Sequence, residues 1–456
     1  MINTREDAYR AIIESKAAST HESGFDVDLA ATPLYEWQQR IGEWATRKGR
    51  SAIFADCGLG KTPMQLVWAD EVSRRENKPV LILAPLAVSE QTVREGKKFN
   101  IEVDHRRNEA SNVPIQITNY ERLHHFDPAD FTGIVLDESS ILKNYSGSTR
   151  QMIIDWSSGL QYRLACTATP APNDYMEIGN HSEFLGVMRR VEMLSRFFVH
   201  DGGDTALWRL KKHAQSVFWK WMATWCVALR TPSDIGFDDD RFNLPPMFTQ
   251  EHIVENTHHT GYLFTVGGQT LQERRAARRG SLNERVGLAA ELANASDKPF
   301  LCWCNLNAES KALKNAIPDA VEVCGADSEE HKIDAMLGFS EGRYRVLVTK
   351  PSICGFGMNW QHCAEMAFVG LSDSYEQYYQ ALRRCWRHGQ QNPVTAHIII
   401  SEAEGAVRAN VQRKERQASE MFDELVKHVT IYDMGKRITN TLIAGNTRME
   451  VPAWLK

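Results

Sequence analysis

Ala55-Asp56-Cys57-Gly58-Leu59-Gly60-Lys61-Thr62 lies between a strand-like apolar run, Ser51-Ala52-Ile53-Phe54, and a helix-like one, Pro63-Met64-Gln65-Leu66-Val67-Trp68. A strand, a loop of small residues and a helix in that order form a cradle for phosphate. Small residues let backbone N–H groups close around an anion, and the helix N-terminus adds its positive dipole end. In this reading Gly58 and Gly60 shape the loop, Lys61 reaches the β- and γ-phosphates, and the Thr62 hydroxyl ligates Mg²⁺. Ala55 replaces the first glycine of the usual G-x-x-x-x-G-K-[ST] pattern. The expected ligand is a nucleoside triphosphate, which implies an α/β fold.

Outward from that loop, apolar and helical stretches alternate. The runs Ser51–Ala55, Val80–Ala84, Ile115–Asn119, Gly133–Asp137 and Arg163–Thr167 read as buried strands of a parallel sheet covered by helices. A second series follows at Pro299–Cys304, Ala320–Cys324, Arg343–Thr349, Glu365–Leu371 and Thr395–Ile400. The expected organisation is an N-terminal extension over 1–30, with a short helix near Ala8–Lys16, and a first α/β lobe over 31–180. A helical insert or linker over 181–285, a second lobe over 286–400 and a helical tail over 401–456 complete it. The tail opens with a charged amphipathic helix, Glu402–Val429, expected to pack across the second lobe. Two similar lobes in one chain suggest a site where they meet.

The chain has 456 residues, 43% hydrophobic and 24% charged, enough for two or three cores and unlike a disordered or fibrous sequence. Its formal net charge of -5 means that any contact with nucleic acid must come from local basic patches. No run is apolar and long enough to span a bilayer, and the first residues carry no apolar signal core, so no membrane partner and an intracellular, cytoplasmic location are expected. Nine cysteines occur without a C-x-x-C pair. Cys302 and Cys304 share one face of a predicted strand and read as reduced core residues. The adjacent pairs His124-His125 and His258-His259 lack acidic or cysteine partners at ligand spacing, so no zinc is assigned.

Phosphoryl transfer needs one carboxylate to hold Mg²⁺ and another to orient the attacking water. Ile134-Val135-Leu136-Asp137-Glu138 ends an apolar strand on both, with Asp137 assigned to the metal and Glu138 to the water. With loop and acids in this order, the chain resembles the superfamily 2 helicases and translocases, and specifically the Swi/Snf-related translocases of double-stranded DNA. Leu34-Tyr35-Glu36-Trp37-Gln38 resembles the family's adenine-recognition element, which implies Gln38 on the adenine edge. Ala84-Pro85-Leu86 and Thr118-Asn119-Tyr120-Glu121 resemble segments that touch the nucleic-acid backbone, implying Pro85, Asn119 and Tyr120. Asp137-Glu138-Ser139-Ser140, with Leu142-Lys143-Asn144 and Arg150, resembles the acidic box and its trailing residues, implying Lys143 and Asn144 as further contacts. Thr167-Ala168-Thr169-Pro170 with Asn173 resembles the element that couples hydrolysis to lobe movement, implying Thr167 and Thr169.

The second half carries the resemblance on. Leu229-Arg230 with Leu244-Pro245-Pro246 resembles the signature between the lobes of Swi/Snf-type proteins. Gly355-Phe356-Gly357-Met358-Asn359-Trp360 resembles the Gly-x-Gly-x-Asn-Leu loop, implying Gly357 near the nucleotide. The run from Gln380 to Gln390 resembles the family's last motif, with Gln380 in coupling and Arg384 and Arg387 neutralising charge on the γ-phosphate from the opposite lobe. Ser140 and Trp386 stand where the family usually has histidine, so coupling between ATP and DNA sites is expected to be wired differently. Arg274, Arg275, Arg278, Arg279 and Arg285 form a basic helix read as a phosphate grip, as a solvated face or as a face pairing with acidic neighbours. Trp208, Trp219, Trp221 and Trp225 read as core rather than a base-stacking platform.

The resemblance implies two RecA-like lobes, a nucleic-acid-stimulated ATPase using ATP and Mg²⁺, and stepping along mainly duplex DNA. It implies a monomer of compact bacterial or bacteriophage type. Two alternatives stand beside it: a strand-separating or annealing helicase on forked DNA or RNA, and an ATP-gated nucleic-acid clamp or loading factor that does not step.

Overall fold

The computed structural model describes residues 22–143, 147–201, 204–239, 242–255, 279–354 and 358–431. The chain divides into two compact units. One comprises Met1–Asp56, Gly60–Asp238 and Glu420–Lys456; the other comprises Cys57–Leu59 and Asp239–Ser419.

The first unit is built on a seven-stranded sheet. Its strands are β1 (Arg50–Ala55), β2 (Val80–Ala84), β3 (Val103–His105), β4 (Ile115–Asn119), β5 (Gly133–Asp137) and β6 (Tyr162–Cys166), with β9 (Cys226–Leu229) on its far edge. The order is β3-β4-β2-β5-β6-β1-β9, and every neighbouring pair is parallel. β2, β4, β5 and β6 are buried along their whole length. Strands apolar on both faces need helices on both faces, and each fully buried aliphatic side chain contributes about 1.5–3 kcal/mol. The helix Lys61–Glu76 supplies one such cover through Met64, Leu66, Val67 and Trp68. A short antiparallel hairpin, β7 (Phe198–Asp201) and β8 (Asp204–Leu210), stands outside the sheet and is rooted in the core by Phe198 and Leu210.

The second unit holds a six-stranded parallel sheet of order β10-β15-β14-β11-β13-β12. The strands are β10 (Met247–Val254), β11 (Phe300–Cys304), β12 (Ala320–Glu322), β13 (Val346–Thr349), β14 (Glu365–Val369) and β15 (Val394–Ser401). Alternation along β11 sends Leu301 and Trp303 into one core and Phe300, Cys302 and Cys304 into another on the opposite face. Both thiols are buried and free.

Two expectations are corrected, and one of three open readings is decided. The stretch 181–285 is not a helical insert: besides short helices it contains the hairpin and supplies β9 to the first sheet and β10 to the second. Local helical spacing masked strands whose partners lie far away in sequence. The charged C-terminal helix runs Gly405–Ile431, and only its first half belongs to the second unit's core through Val407 and Val411. Met421, Phe422 and Leu425 pack instead in the core of the first. For Arg285 the reading that holds is pairing with acidic neighbours, rather than a phosphate grip or a solvated face. Arg285 is fully buried in the helix Leu282–Asn294, with Nη1 2.6 Å from Glu309 Oε1 and 3.0 Å from the Val369 carbonyl, and Nε 3.8 Å from Glu404 Oε2. A buried guanidinium needs this full set of partners. Arg274, Arg275 and Arg278, like the helix near residues 8–16, lie outside the described residues, and Arg279 is exposed. Trp219, Trp221 and Trp225 are core residues as expected.

Candidate active site

The carboxyl ends of β1, β6 and β5 lie side by side, and Cys166 is the register partner of both Ile53 on β1 and Asp137 on β5. That pairing carries the acid pair and the Thr167–Thr169 turn to the end of the first unit's sheet from which β1 leads toward the helix Lys61–Glu76. Gly58 and Gly60 adopt φ of +90° and +68°, where a Cβ is strained. Gly60 is also the cap of the helix Lys61–Glu76, whose first turn holds no acid and whose N-terminus receives no side-chain cap. An anion is the natural partner of such an end.

Lys61 donates from Nζ to the carbonyls of Ala55 at 2.9 Å and Asp56 at 3.3 Å, so the ammonium is folded into the loop. Gln38, in the helix Glu36–Lys48, accepts from the Tyr35 backbone N–H at 3.1 Å. A Cβ on Gly60 would meet Gln38 Nε2 at 2.5 Å, which sets the residue expected at the adenine edge directly against the loop. Gln65 follows Lys61 by one helical turn and donates to Asp137 Oδ1 at 2.8 Å. The i, i+4 spacing could have singled it out from sequence.

Asp137 is buried, and burial pushes its carboxyl up from 3.8 to about 6. Neighbouring Glu138 contributes to that rise, and the Gln65 hydrogen bond and the Lys61 charge limit it. Glu138 takes φ of +56°, an αL conformation that a glutamate adopts only when its surroundings impose it. Thr167 donates from Oγ1 to Glu138 Oε2 at 3.3 Å and accepts from the Thr169 N–H at 3.1 Å, so this expected coupling element contacts the acid directly. Behind the acids, Ser139 Oγ lies 3.0 Å from His181 Nε2. His181 is fully buried, and desolvation lowers its pKa to about 4, so it is neutral at pH 7. Nothing in the sequence pattern pointed to it.

The expected nucleic-acid residues fall into different places. Asn119 ends β4 with Oδ1 buried and without a partner among the described residues, and Pro85 is half-buried. Tyr120 is corrected: its ring lies in the core and its hydroxyl donates to the Asp137 carbonyl at 2.6 Å, so it braces the acid strand. Lys143 is half-buried near Glu177, which burial pushes up to about 7 against hydrogen bonds from Asn173. Asn144 and Gly357 lie outside the described residues. Thr62 opens the helix after Lys61.

In the second unit, Arg384 donates to the carbonyls of Gln380 at 3.0 Å and Met358 at 3.1 Å, and Arg387 to Met358 at 3.3 Å. Burial, with Arg384 alongside, lowers Arg387 to about 10, so it keeps its charge at neutral pH. Gln380 is almost fully buried, and neither atom of its amide has a partner among the described residues.

Mg²⁺ and a nucleotide are tested by the donor set. A buried carboxylate, a hydroxyl in the first turn of the helix, an ammonium and the positive-φ glycine that caps it are the hard oxygen donors and anion cradle that a magnesium phosphate requires. The residues fit. A comparison with protein-family models found no match, and no curated protein matches the chain significantly.

Proposed function

We propose that this chain is an ATP-dependent DNA translocase of the superfamily 2 type, with Swi/Snf-like organisation of two RecA-like lobes. The observation that carries the reading is the convergence of Lys61, Asp137, Glu138 and Thr167 on one edge of the first unit's sheet, with Gln65 and Tyr120 holding the acid strand from behind. In this reading Thr62 and Asp137 hold Mg²⁺, Lys61 and the loop N–H groups hold the phosphates, and Gln38 borders the adenine. The metal, when bound, draws negative charge off the phosphate oxygens. Glu138 orients the attacking water and takes its proton at a carboxylate oxygen. The reading gives Arg384 and Arg387 the task of neutralising charge at the terminal phosphate, and Asn119, Lys143 and Asn144 contacts with the DNA backbone.

A water-orienting carboxylate held off its relaxed conformation has a use in hydrolysis and none in passive binding, which favours an engine over a clamp. The test is the rate of ATP hydrolysis with single-stranded DNA, duplex, forked duplex and RNA in turn. Stimulation is expected, greatest with duplex. Intact protein that no nucleic acid stimulates would remove the reading.

A further inference from the structure

Resting on that reading, we infer that His181 is a positioning residue for hydrolysis, fixing the water-orienting Glu138 through Ser139. Glu138 stands at φ +56°, and a residue in αL relaxes unless its neighbours are pinned. Ser139 directly follows Glu138 and opens the 3₁₀ turn Ser139–Lys143, so pinning its side chain limits how far Glu138 can relax. The Ser139 Oγ to His181 Nε2 contact of 3.0 Å is wholly buried, so no water competes for it.

The helix Ile178–Leu185 that carries His181 cannot shift freely. Asn180 Nδ2 donates to the carbonyls of Leu142 at 2.7 Å and Lys143 at 3.3 Å, gripping the far end of the 3₁₀ turn Ser139–Lys143. Arg150 donates to Asn180 Oδ1 at 3.1 Å and pairs with Glu183. The imidazole also meets Phe54 of β1 edge-on, with ring centres 5.4 Å apart at 84°. One side chain therefore touches the strand that feeds the phosphate loop and the residue that follows the acids. Ser140 does not take this part among the described residues, where its Oγ reaches the Glu138 carbonyl at 3.5 Å.

The experiment compares His181→Phe, which keeps a ring against Phe54 but loses the polar contact, with His181→Gln, Ser139→Ala and the Ser139→Ala/His181→Phe pair. Each is assayed for ATP hydrolysis with saturating duplex DNA and for folding by circular dichroism. His181→Phe and Ser139→Ala are each expected to lower kcat about tenfold with the KM for ATP within about twofold. The pair is expected to cost no more than either alone, and His181→Gln, whose amide can reach Ser139, to recover most of the rate. Ser139→Ala removes a single hydroxyl and keeps the test standing if His181→Phe does not fold. Folded variants with unaltered kcat, or losses that multiply in the pair, overturn the inference while leaving the ATPase reading intact. An unaltered protein that hydrolyses no ATP under any condition takes both down.

Discussion

Asp137→Asn should make the protein more stable at neutral pH while destroying any activity that needs a metal-bound carboxylate. Asp137 is buried, and its carboxyl titrates at about 6 instead of 3.8. The folded protein thus holds this proton more tightly than the unfolded chain does. Stability from the protonated form is complete below pH 4 and is lost as pH rises through about 6. At about 1.4 kcal/mol per tenfold change in proton affinity, the ionised carboxylate costs the fold about 3 kcal/mol at pH 7.5, a ceiling because Glu138 and Lys61 share the field. Asparagine has the same shape, bears no charge and keeps an oxygen for the Gln65 amide, so most of that cost should disappear. Urea unfolding of both proteins at pH 4.0, 5.0, 6.0 and 7.5 reads the difference directly. The variant is expected to gain up to about 3 kcal/mol at pH 7.5, with the gap closing toward pH 4. A gap independent of pH, or an asparagine variant weaker at pH 7.5, would refute the assigned desolvation.

Glu138→Gln keeps the size of the side chain but cannot accept a proton from water; ATP should still bind, with turnover down at least about a hundredfold, checked by fluorescent-nucleotide binding alongside single-turnover hydrolysis. Gly60→Ala meets both a φ of +68° and Gln38 Nε2 at 2.5 Å, so nucleotide affinity should fall about tenfold or more. Adding Gln38→Ala relieves the contact but not the backbone, and titration calorimetry should show at most partial recovery. Arg285→Met strands Glu309 and Glu404 in a fully buried site and should destabilise the protein by about 3–5 kcal/mol, measured by denaturant unfolding.

The loop from Ala55 to Thr62 and the acid pair were legible because each ends a run buried on both faces, and such runs announce strands without help from partners far away. β2, β4 and β5 match their expected limits for that reason. β9 and β10 were not legible. β9 has four residues and lies beside a helix rich in tryptophan, and β10 is an edge strand exposed along much of its length. Only pairing with Ala52–Ala55 and with Val394–Ser401 defines them. Tyr120 was misread for a related reason. The tripeptide Asn119-Tyr120-Glu121 says nothing of direction, and a 3₁₀ turn over Tyr120–His125 swings the phenol under β5. Gln65 could have been found by helical spacing from Lys61, whereas His181 meets Ser139 across 42 residues and leaves no local trace.

Two costs are built into the acid pair: an αL backbone at Glu138, worth about 1–3 kcal/mol, and a desolvated carboxylate at Asp137. Neither persists unless the surroundings over-determine it. The Tyr120 hydroxyl on the Asp137 carbonyl, Gln65 on its side chain, Thr167 on Glu138 and His181 at Ser139 supply that constraint from four different elements. Lys61 follows the same logic in reverse. Its two bonds to loop carbonyls satisfy the ammonium now, and at about 1.5–3 kcal/mol for each hydrogen bond to a charged group, an incoming anion must replace both to bind. A single small anion offers little beyond that exchange. Under the proposed function a triphosphate would bring further oxygens to the loop N–H groups and a metal to Asp137, so the reading predicts that a triphosphate competes with these two bonds better than inorganic phosphate does.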